Sequence, residues 1–286
     1  MVKMLYGLGI RDKHKENIKQ EVLNLPFIPH LKIIVAEGYE QASSVYVNNK
    51  KKFCNEVGVD YEVINLEWQN KNKQEVLSNI IDLINIYNED DSVTAYFFQM
   101  PLPYGIVEND FIRYIKPEKD ADGFHPLNLA GLYKKYECIP ACTPQGIMDL
   151  FDYYNIELSG KDVVIVNRSQ LVGIPLAAML INKNATVQVC HSHTKDLKSK
   201  VKQADIVVTA VGKANFMDSS WFRNGQVIID VSINRDEKGK LVGDVNKKVY
   251  KSRKDLSITP VPKGVGSLTV MELINNIIKC AKMQSK

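Results

Sequence analysis

No run of about eighteen apolar residues occurs in the chain, so no segment suits a membrane-spanning helix. The start, MVKMLYGLGIRDKHK, has only a short apolar stretch broken by glycines and no small-residue cleavage site, so no secretory leader is expected. Cysteine is scarce and does not pair up: five residues, at 54, 138, 142, 190 and 280. The odd count argues against a disulfide framework, and Cys138 with Cys142 lacks the second pair a zinc site needs. Idle thiols suit a reducing compartment, so a cytosolic protein without a metal is expected. Charge of one sign is also missing. A net charge of +4 permits small anionic ligands without calling for nucleic acid, and neither a nucleic-acid nor a membrane partner is expected. There is no internal repeat and no low-complexity segment. What remains is ordinary for a globular chain: 286 residues, 45% hydrophobic and 24% charged, ample for one large or two ordinary domains.

Strands and helices alternate. Residues 11–25 read as a helix ending before Pro26, Leu31–Val35 as a buried strand, and Ala42–Val57 as a helix stopped by Gly58. Tyr61–Leu66 is a second strand, Lys73–Tyr87 an amphipathic helix, and Ser92–Gln99 a third strand stopped by Pro101 and Pro103. A loop-rich passage covers Glu118 to Pro144. Gly146–Tyr154 reads as a helix, followed by strands at 163–166, 186–190, 206–210 and 227–231 with helices near 172–182 and 195–203. Asp236–Lys240 is a hairpin turn, 258–269 a Gly/Pro-rich loop, and Val270–Met283 a final amphipathic helix. This alternation predicts two α/β lobes with parallel sheets and a boundary near residues 140–150.

Lys161–Pro175, KDVVIVNRSQLVGIP, organises the second lobe. The β-branched run Val163–Val166 suits a strand buried on both faces. Asn167, Arg168 and Ser169 form a polar turn, and Gly173 opens a helix whose N–H groups face the strand's carboxyl end, where phosphates bind. With one firm glycine the turn reads equally as a nucleotide site or as a plain strand-to-helix connection. The next strand ends Cys190-His191-Ser192-His193. It has no carboxylate to repel a 2′-phosphate, and Arg168 is available to pair with one, which favours NADP over NAD.

Three features in the first lobe carry chemistry. Tyr46 and Lys50 lie one turn apart on a predicted helix, either as a ligand-flanking pair or as part of an amphipathic face with the Lys50 stem lying along it. Gln99 places an amide at a strand's carboxyl end, where ligands bind in open α/β sheets. Asp122, in Asp120-Ala-Asp122-Gly-Phe-His125, is either a turn-forming residue or a carboxylate that accepts from a heterocycle's N–H groups. His125 reads as structural, and Lys50–Lys52 as a solvated helix face.

Together these stretches resemble the bifunctional methylenetetrahydrofolate dehydrogenase/methenyltetrahydrofolate cyclohydrolase family. The matching residues are Ser44-Val-Tyr46-Val-Asn-Asn-Lys50, Gln99-Met-Pro101-Leu-Pro103, Lys119-Asp-Ala-Asp122-Gly-Phe-His125-Pro126-Leu-Asn128, Cys142-Thr143-Pro144-x-Gly146, Arg168-Ser169-x-x-Val172-Gly173-x-Pro175, Val242-Gly-Asp244-Val245 and Thr259-Pro260-Val-Pro262. The resemblance implies two α/β domains with a cleft between them, the C-terminal one a Rossmann-like NAD(P)-binding domain. Residues 1–142 with 267–286 would bind folate, and 143–266 would bind NAD(P). It implies a homodimer acting on tetrahydrofolate derivatives with NADP as cofactor: oxidation of 5,10-methylenetetrahydrofolate, then hydrolysis to 10-formyltetrahydrofolate. Lys50, Gln99 and Tyr46 would be catalytic, and Tyr46, Asp122, Pro262 and Gly266 would bind substrate. Asn167, Arg168, Ser169, Ser192, Ile233 and Thr269 would bind cofactor.

The chain departs from the family pattern in the cofactor half. Asn167, Ser232 and Lys263 stand where the family has glycine, and Ser267 where it has proline. Tyr46, Lys50, Gln99 and Asp122 are intact. The alternatives are therefore a monofunctional methenyltetrahydrofolate cyclohydrolase with impaired or altered cofactor use, and a non-catalytic folate or nucleotide sensor.

Overall fold

A computed structural model describes residues 2–68 and 70–285, with side chains outside 40–43. In chain order the first elements are β1 (Lys3–Met4), α1 (Gly7–Leu23), β2 (His30–Ala36), α2 (Glu40–Val57), β3 (Asp60–Leu66), α3 (Lys73–Glu89), β4 (Ala95–Gln99), α4 (Pro126–Lys134) and α5 (Cys142–Tyr153). There follow β5 (Asp162–Val166), α6 (Gly173–Asn182), β6 (Thr186–Cys190), α7 (Leu197–Gln203), β7 (Ile206–Thr209), β8 (Val227–Asp230), β9 (Asn234–Arg235), β10 (Leu241–Val242), α8 (Lys248–Ser252), β11 (Ser257–Ile258) and α9 (Gly266–Gln284).

The chain divides into two compact units, residues 14–142 with 270–286 and residues 1–13 with 143–269. The first holds a parallel three-stranded sheet, ordered β3-β2-β4. Central β2 pairs on both sides, so its Ile33 and Ile34 are wholly buried. α3 covers the sheet because Val76, Ile80, Ile84 and Tyr87 recur every three to four residues, one stripe packed on Ile34, Tyr96 and Phe98. Its start is fixed by a capping box, in which Asn72 accepts from the Glu75 N–H and Glu75 from the Asn72 N–H. α9 adds an apolar face, with Leu273, Ile274, Ile277, Ile278 and Cys280 buried.

The second unit is built on a six-stranded parallel sheet, ordered β1-β11-β8-β7-β5-β6. Val163–Val166 lie in its interior and are buried throughout, as the β-branched run predicts. The hairpin appears where expected, with β9 antiparallel to β10.

Residues 1–13 are grouped differently from the expected domain limits. Lys3 and Met4 pair with Ser257 and Ile258, which draws the N-terminus into the six-stranded sheet and away from the lobe that follows it in sequence. α1 begins at Gly7, ahead of the expected residue 11, because the Gly7 and Leu8 N–H groups both find the Lys263 carbonyl, at 3.0 and 3.3 Å. The loop-rich passage contains a helix, α4. Pro126 opens it and His125 Nδ1 caps it by accepting from the Leu127 N–H at 3.1 Å.

Candidate active site

Lys50 stands where helix α2 meets the carboxyl end of strand β4. Its Nζ donates to Gln99 Oε1 at 3.1 Å and lies 3.7 Å from the Phe97 ring centroid. Gln99 Nε2 donates in turn to the Met100 carbonyl at 3.0 Å, which leaves the amide oxygen facing Lys50. Burial holds Lys50 below the usual lysine range, opposed chiefly by Asp122, whose charge favours the ammonium form. The reverse holds for Asp122: burial pushes its carboxyl up, and Lys50 draws it back. One turn ahead of Lys50, the Tyr46 ring is 47% exposed and offers a free face. Cys54 contributes no nucleophile, since burial pushes its thiol up to about 12.

The loop around Asp122 is over-determined by its neighbours. Asp120 is its internal anchor: Oδ1 accepts from the Gly123 N–H at 3.1 Å, and Oδ2 accepts from the His125 N–H at 2.7 Å and from Asn128 Nδ2 at 3.0 Å. Burial pushes this carboxyl up to about 6 even so. Gly123 has φ +75, and a Cβ there would sit 2.2 Å from the Pro140 carbonyl oxygen. Asp122 makes no side-chain hydrogen bond among the described residues, so its carboxylate is free for a ligand. The sequence reading singled out Asp122 and missed Asp120, although the Asp-x-Asp-Gly spacing separates a turn-forming acid from a free one.

In the other unit, sequence order reverses at β5: β6 lies on one side and β7 on the other. Such a switch point opens a crevice outside the strands' carboxyl ends. Asn167 sits there, and its side chain fills the turn. Nδ2 donates to the Ala210 carbonyl at 2.7 Å, while Oδ1 accepts from the Ser169 and Gly173 N–H groups at 2.7 and 3.1 Å. Asn167 is not among the positive-φ residues, so it replaces glycine by bonding rather than by adopting left-handed backbone. Gly173 is obligatory, because a Cβ would lie 2.2 Å from the Asn167 carbonyl oxygen. The close approach of α6 to the turn fits a dinucleotide cradle. Arg168 is exposed and has no side-chain partner among the described residues. Val166 pairs with Cys190, so Arg168 and exposed Ser192 each lie two residues beyond that pair on neighbouring strands. A cavity of about 530 Å³ opens beside β6 and α7, lined in part by His191, Thr194, Lys195 and Lys200.

The remaining departures are absorbed by local bonds. Ser232 Oγ donates to buried Asp244 at 2.9 Å and accepts from the Gly212 N–H at 3.0 Å. Asp244 also takes bonds from Thr209, Val211, Lys213 and Asn234, so its carboxylate is saturated. Ile233 reaches the position where a Gly266 Cβ would stand, at 3.0 Å, and Thr269 Oγ1 lies 3.2 Å from Thr143 Oγ1. Pro262 follows a cis Val261–Pro262 bond, and Lys263 holds φ +81. Among the described residues no group of three His, Cys, Asp or Glu residues suits a metal, and all five cysteines are free.

A parallel sheet whose order reverses at a strand-to-helix turn, in a chain that also carries a partly buried lysine bonded to a glutamine amide, has the architecture of an α/β enzyme of the nucleotide-dependent dehydrogenase class. The chain matches the tetrahydrofolate dehydrogenase/cyclohydrolase catalytic domain over residues 5–122 and the NAD(P)-binding domain of the same family over residues 141–285. It is similar to the bifunctional protein FolD of Campylobacter hominis, 43% identical over 288 residues that cover 100% of this chain and 99% of that one. The crystal structure of the bifunctional enzyme FolD from Campylobacter jejuni has a TM-score of 0.90 at 40% identity, covering 99% of both chains. The Trypanosoma brucei methylenetetrahydrofolate dehydrogenase-cyclohydrolase, complexed with NADP cofactor and an inhibitor, has a TM-score of 0.88 at 30% identity, covering 100% of this chain and 99% of that one. The chain belongs to the tetrahydrofolate dehydrogenase/cyclohydrolase family.

Proposed function

We propose that this protein oxidises 5,10-methylenetetrahydrofolate with NADP+ and hydrolyses the resulting 5,10-methenyltetrahydrofolate to 10-formyltetrahydrofolate. The observation that carries the reading is the Lys50–Gln99 bond beside the free Asp122 carboxylate, in a chain of this family. Bound NADP+ supplies the two-electron acceptor for the first step. The chain's own part in that step is to hold and orient. Arg168 and Ser192 bind the 2′-phosphate, Asn167 and Ser169 present the turn, and Ile233 and Thr269 flank the cofactor.

Lys50 is the proton-handling group of the second step. Held below its ordinary range by burial, it gives up its proton more readily than an exposed lysine. Neutral Lys50 takes a proton as water adds to the methenyl carbon, and returns one to N5 as the ring C–N5 bond breaks. One proton is released overall. Gln99 keeps the amine aimed through Oε1. Tyr46 stacks on the folate ring system, and Asp122 accepts from the heterocycle's amino and ring N–H groups. The same reading takes the protein to be a cytosolic homodimer, and light scattering on the eluting protein checks the assembly.

One turnover assay tests the function. Purified protein given 5,10-methylenetetrahydrofolate and NADP+ is expected to form NADPH and 10-formyltetrahydrofolate. Formation of neither product from folded protein overturns the proposal. Hydrolysis of separately supplied 5,10-methenyltetrahydrofolate without NADPH formation from the methylene compound, together with calorimetry showing no NADP+ binding, would leave a monofunctional cyclohydrolase.

A further inference from the structure

Asn276, on α9, is wholly buried and far in sequence from Lys50, Gln99 and Asp122. Its Nδ2 donates to the Ala121 carbonyl at 3.0 Å and to the Pro140 carbonyl at 2.8 Å, and lies 3.3 Å from Cys142 Sγ. Two carbonyls converging on one atom fix the amide's orientation, since the reverse placement sets oxygen against two oxygens. Oδ1 is left buried without a partner, which lowers stability. An apolar side chain of the same size would remove that unpaired oxygen but would also take away the donor that the Ala121 and Pro140 carbonyls share. What the amide adds is one side chain bonded to both segments at once.

The two carbonyls belong to segments that meet at Asp122. Ala121 is its immediate neighbour. The Asp122 carbonyl accepts from the Cys142 N–H at 3.3 Å, and Cys142 Sγ donates to the Ala121 carbonyl at 3.6 Å. On the other side of Asp122, Gly123 lies so close to Pro140 that no side chain fits. The backbone on both sides of Asp122 is thus tied to residues 140–142, and Asn276 is the side chain that holds both strands of this tie at once. Asp120 fixes the shape of the turn from within, whereas Asn276 fixes its placement from α9.

We propose that Asn276 is a positioning residue for the folate substrate, setting the Asp122 carboxylate beside Lys50 by tethering Ala121 and Pro140 to α9. The proposal rests on the reading of Asp122 as a folate-binding carboxylate. Asn276 touches no reacting atom in this account and acts through Asp122 alone.

The test is a double-mutant cycle on the full chain, read as KM for 5,10-methylenetetrahydrofolate and as calorimetric affinity for tetrahydrofolate. Asn276→Leu is expected to raise KM and weaken tetrahydrofolate binding about tenfold, with kcat changed less than about threefold. NADP+ affinity by calorimetry is expected to stay within about twofold, because Asn276 has no bond to the cofactor cradle. In an Asp122→Ala background the same substitution is expected to add less than about twofold, since the residue it acts through is gone. If Asn276→Leu folds and leaves KM and tetrahydrofolate affinity unchanged, or if its effect multiplies fully with that of Asp122→Ala, the proposal is overturned. Should Asn276→Leu not fold, Asn276→Ser, which keeps one donor, carries the cycle with a rise of about threefold. If Asp122→Ala alone leaves folate affinity intact, the reading of Asp122 fails, and the positioning role fails with it. That result is distinct from an Asn276 that proves silent beside a functional Asp122.

Discussion

Asn167 Nδ2 reaches across the sheet's switch point to the Ala210 carbonyl at 2.7 Å, while its Oδ1 holds the Ser169 and Gly173 N–H groups. A glycine at this position leaves those donors free for a ligand's phosphates, whereas the asparagine answers them internally. Cofactor binding must therefore displace the amide or share its donors. Asn167→Gly is expected to tighten NADP+ binding about threefold to tenfold by calorimetry, and to leave cyclohydrolase kcat unchanged. Thermal stability should fall, because three hydrogen bonds worth about 1 kcal/mol each are lost in a partly exposed turn. Weaker NADP+ binding in the glycine variant would mean that the amide builds the cradle and does not compete with it.

Lys50→Met separates chemistry from folding. On the proposed mechanism it removes the proton-handling group, so methenyl-ring hydrolysis should fall at least about a hundredfold, the low end for loss of a general acid–base. Stability should move the other way. A lysine whose folded-state pKa is depressed disfavours folding at every pH below that value, and the penalty disappears only above the ordinary 10.5. At neutral pH the methionine variant is expected to be more stable, by about 1 kcal/mol in denaturant unfolding. Retention of full hydrolysis by folded Lys50→Met would remove Lys50 from the mechanism.

The parts legible in the sequence are those with a short-range signature. Val163–Val166 announced a doubly covered strand because four β-branched residues leave no polar face. The Val76–Ile80–Ile84 stripe announced α3, and the Tyr46–Lys50 spacing set both side chains on one helix face. Gln99 was identifiable from the Pro that ends its strand. What could not be read depends on distant partners. β1 and β11 are two residues each: β1 exists because it pairs with β11 across the length of the chain, and β11 lies between β1 and β8. Asn276 looks like any polar residue on an amphipathic helix until its contacts with Ala121 and Pro140 are seen. Asn167 departs from the family's glycine, yet its backbone is ordinary. The turn is altered by three hydrogen bonds, which no propensity scale records.

Lys263 tests the glycine losses from another side. It holds φ +81, a region that side chains bearing a Cβ enter only at a cost, while its carbonyl receives the first N–H groups of α1. Lys263→Gly relieves the backbone without touching those bonds and is expected to stabilise the protein by about 1 kcal/mol. For a chain of this size that corresponds to a rise of about 2–4 °C in Tm. An unchanged or lower Tm would show that the lysine side chain contributes enough elsewhere to offset its strained backbone.

If Lys50 handles the proton as proposed, its coupling to Asp122 governs the pH dependence of ring opening. The proposed mechanism uses the neutral form of Lys50, so hydrolysis should rise with pH and level off above the Lys50 pKa, which burial places under 10.5. Asp122 opposes that shift, because a nearby carboxylate favours the ammonium form. Removing its charge with Asp122→Asn takes away the opposition and leaves burial to act alone. The rising limb of the kcat profile should therefore move to lower pH, while the same substitution is expected to weaken folate binding and raise KM. A limb that stays in place would mean that another group titrates in the assay. A limb that moves to higher pH would contradict the sign of the coupling and with it the placement of Asp122 beside Lys50. Measuring kcat at saturating substrate from about pH 6 to 10 keeps the binding defect out of the comparison.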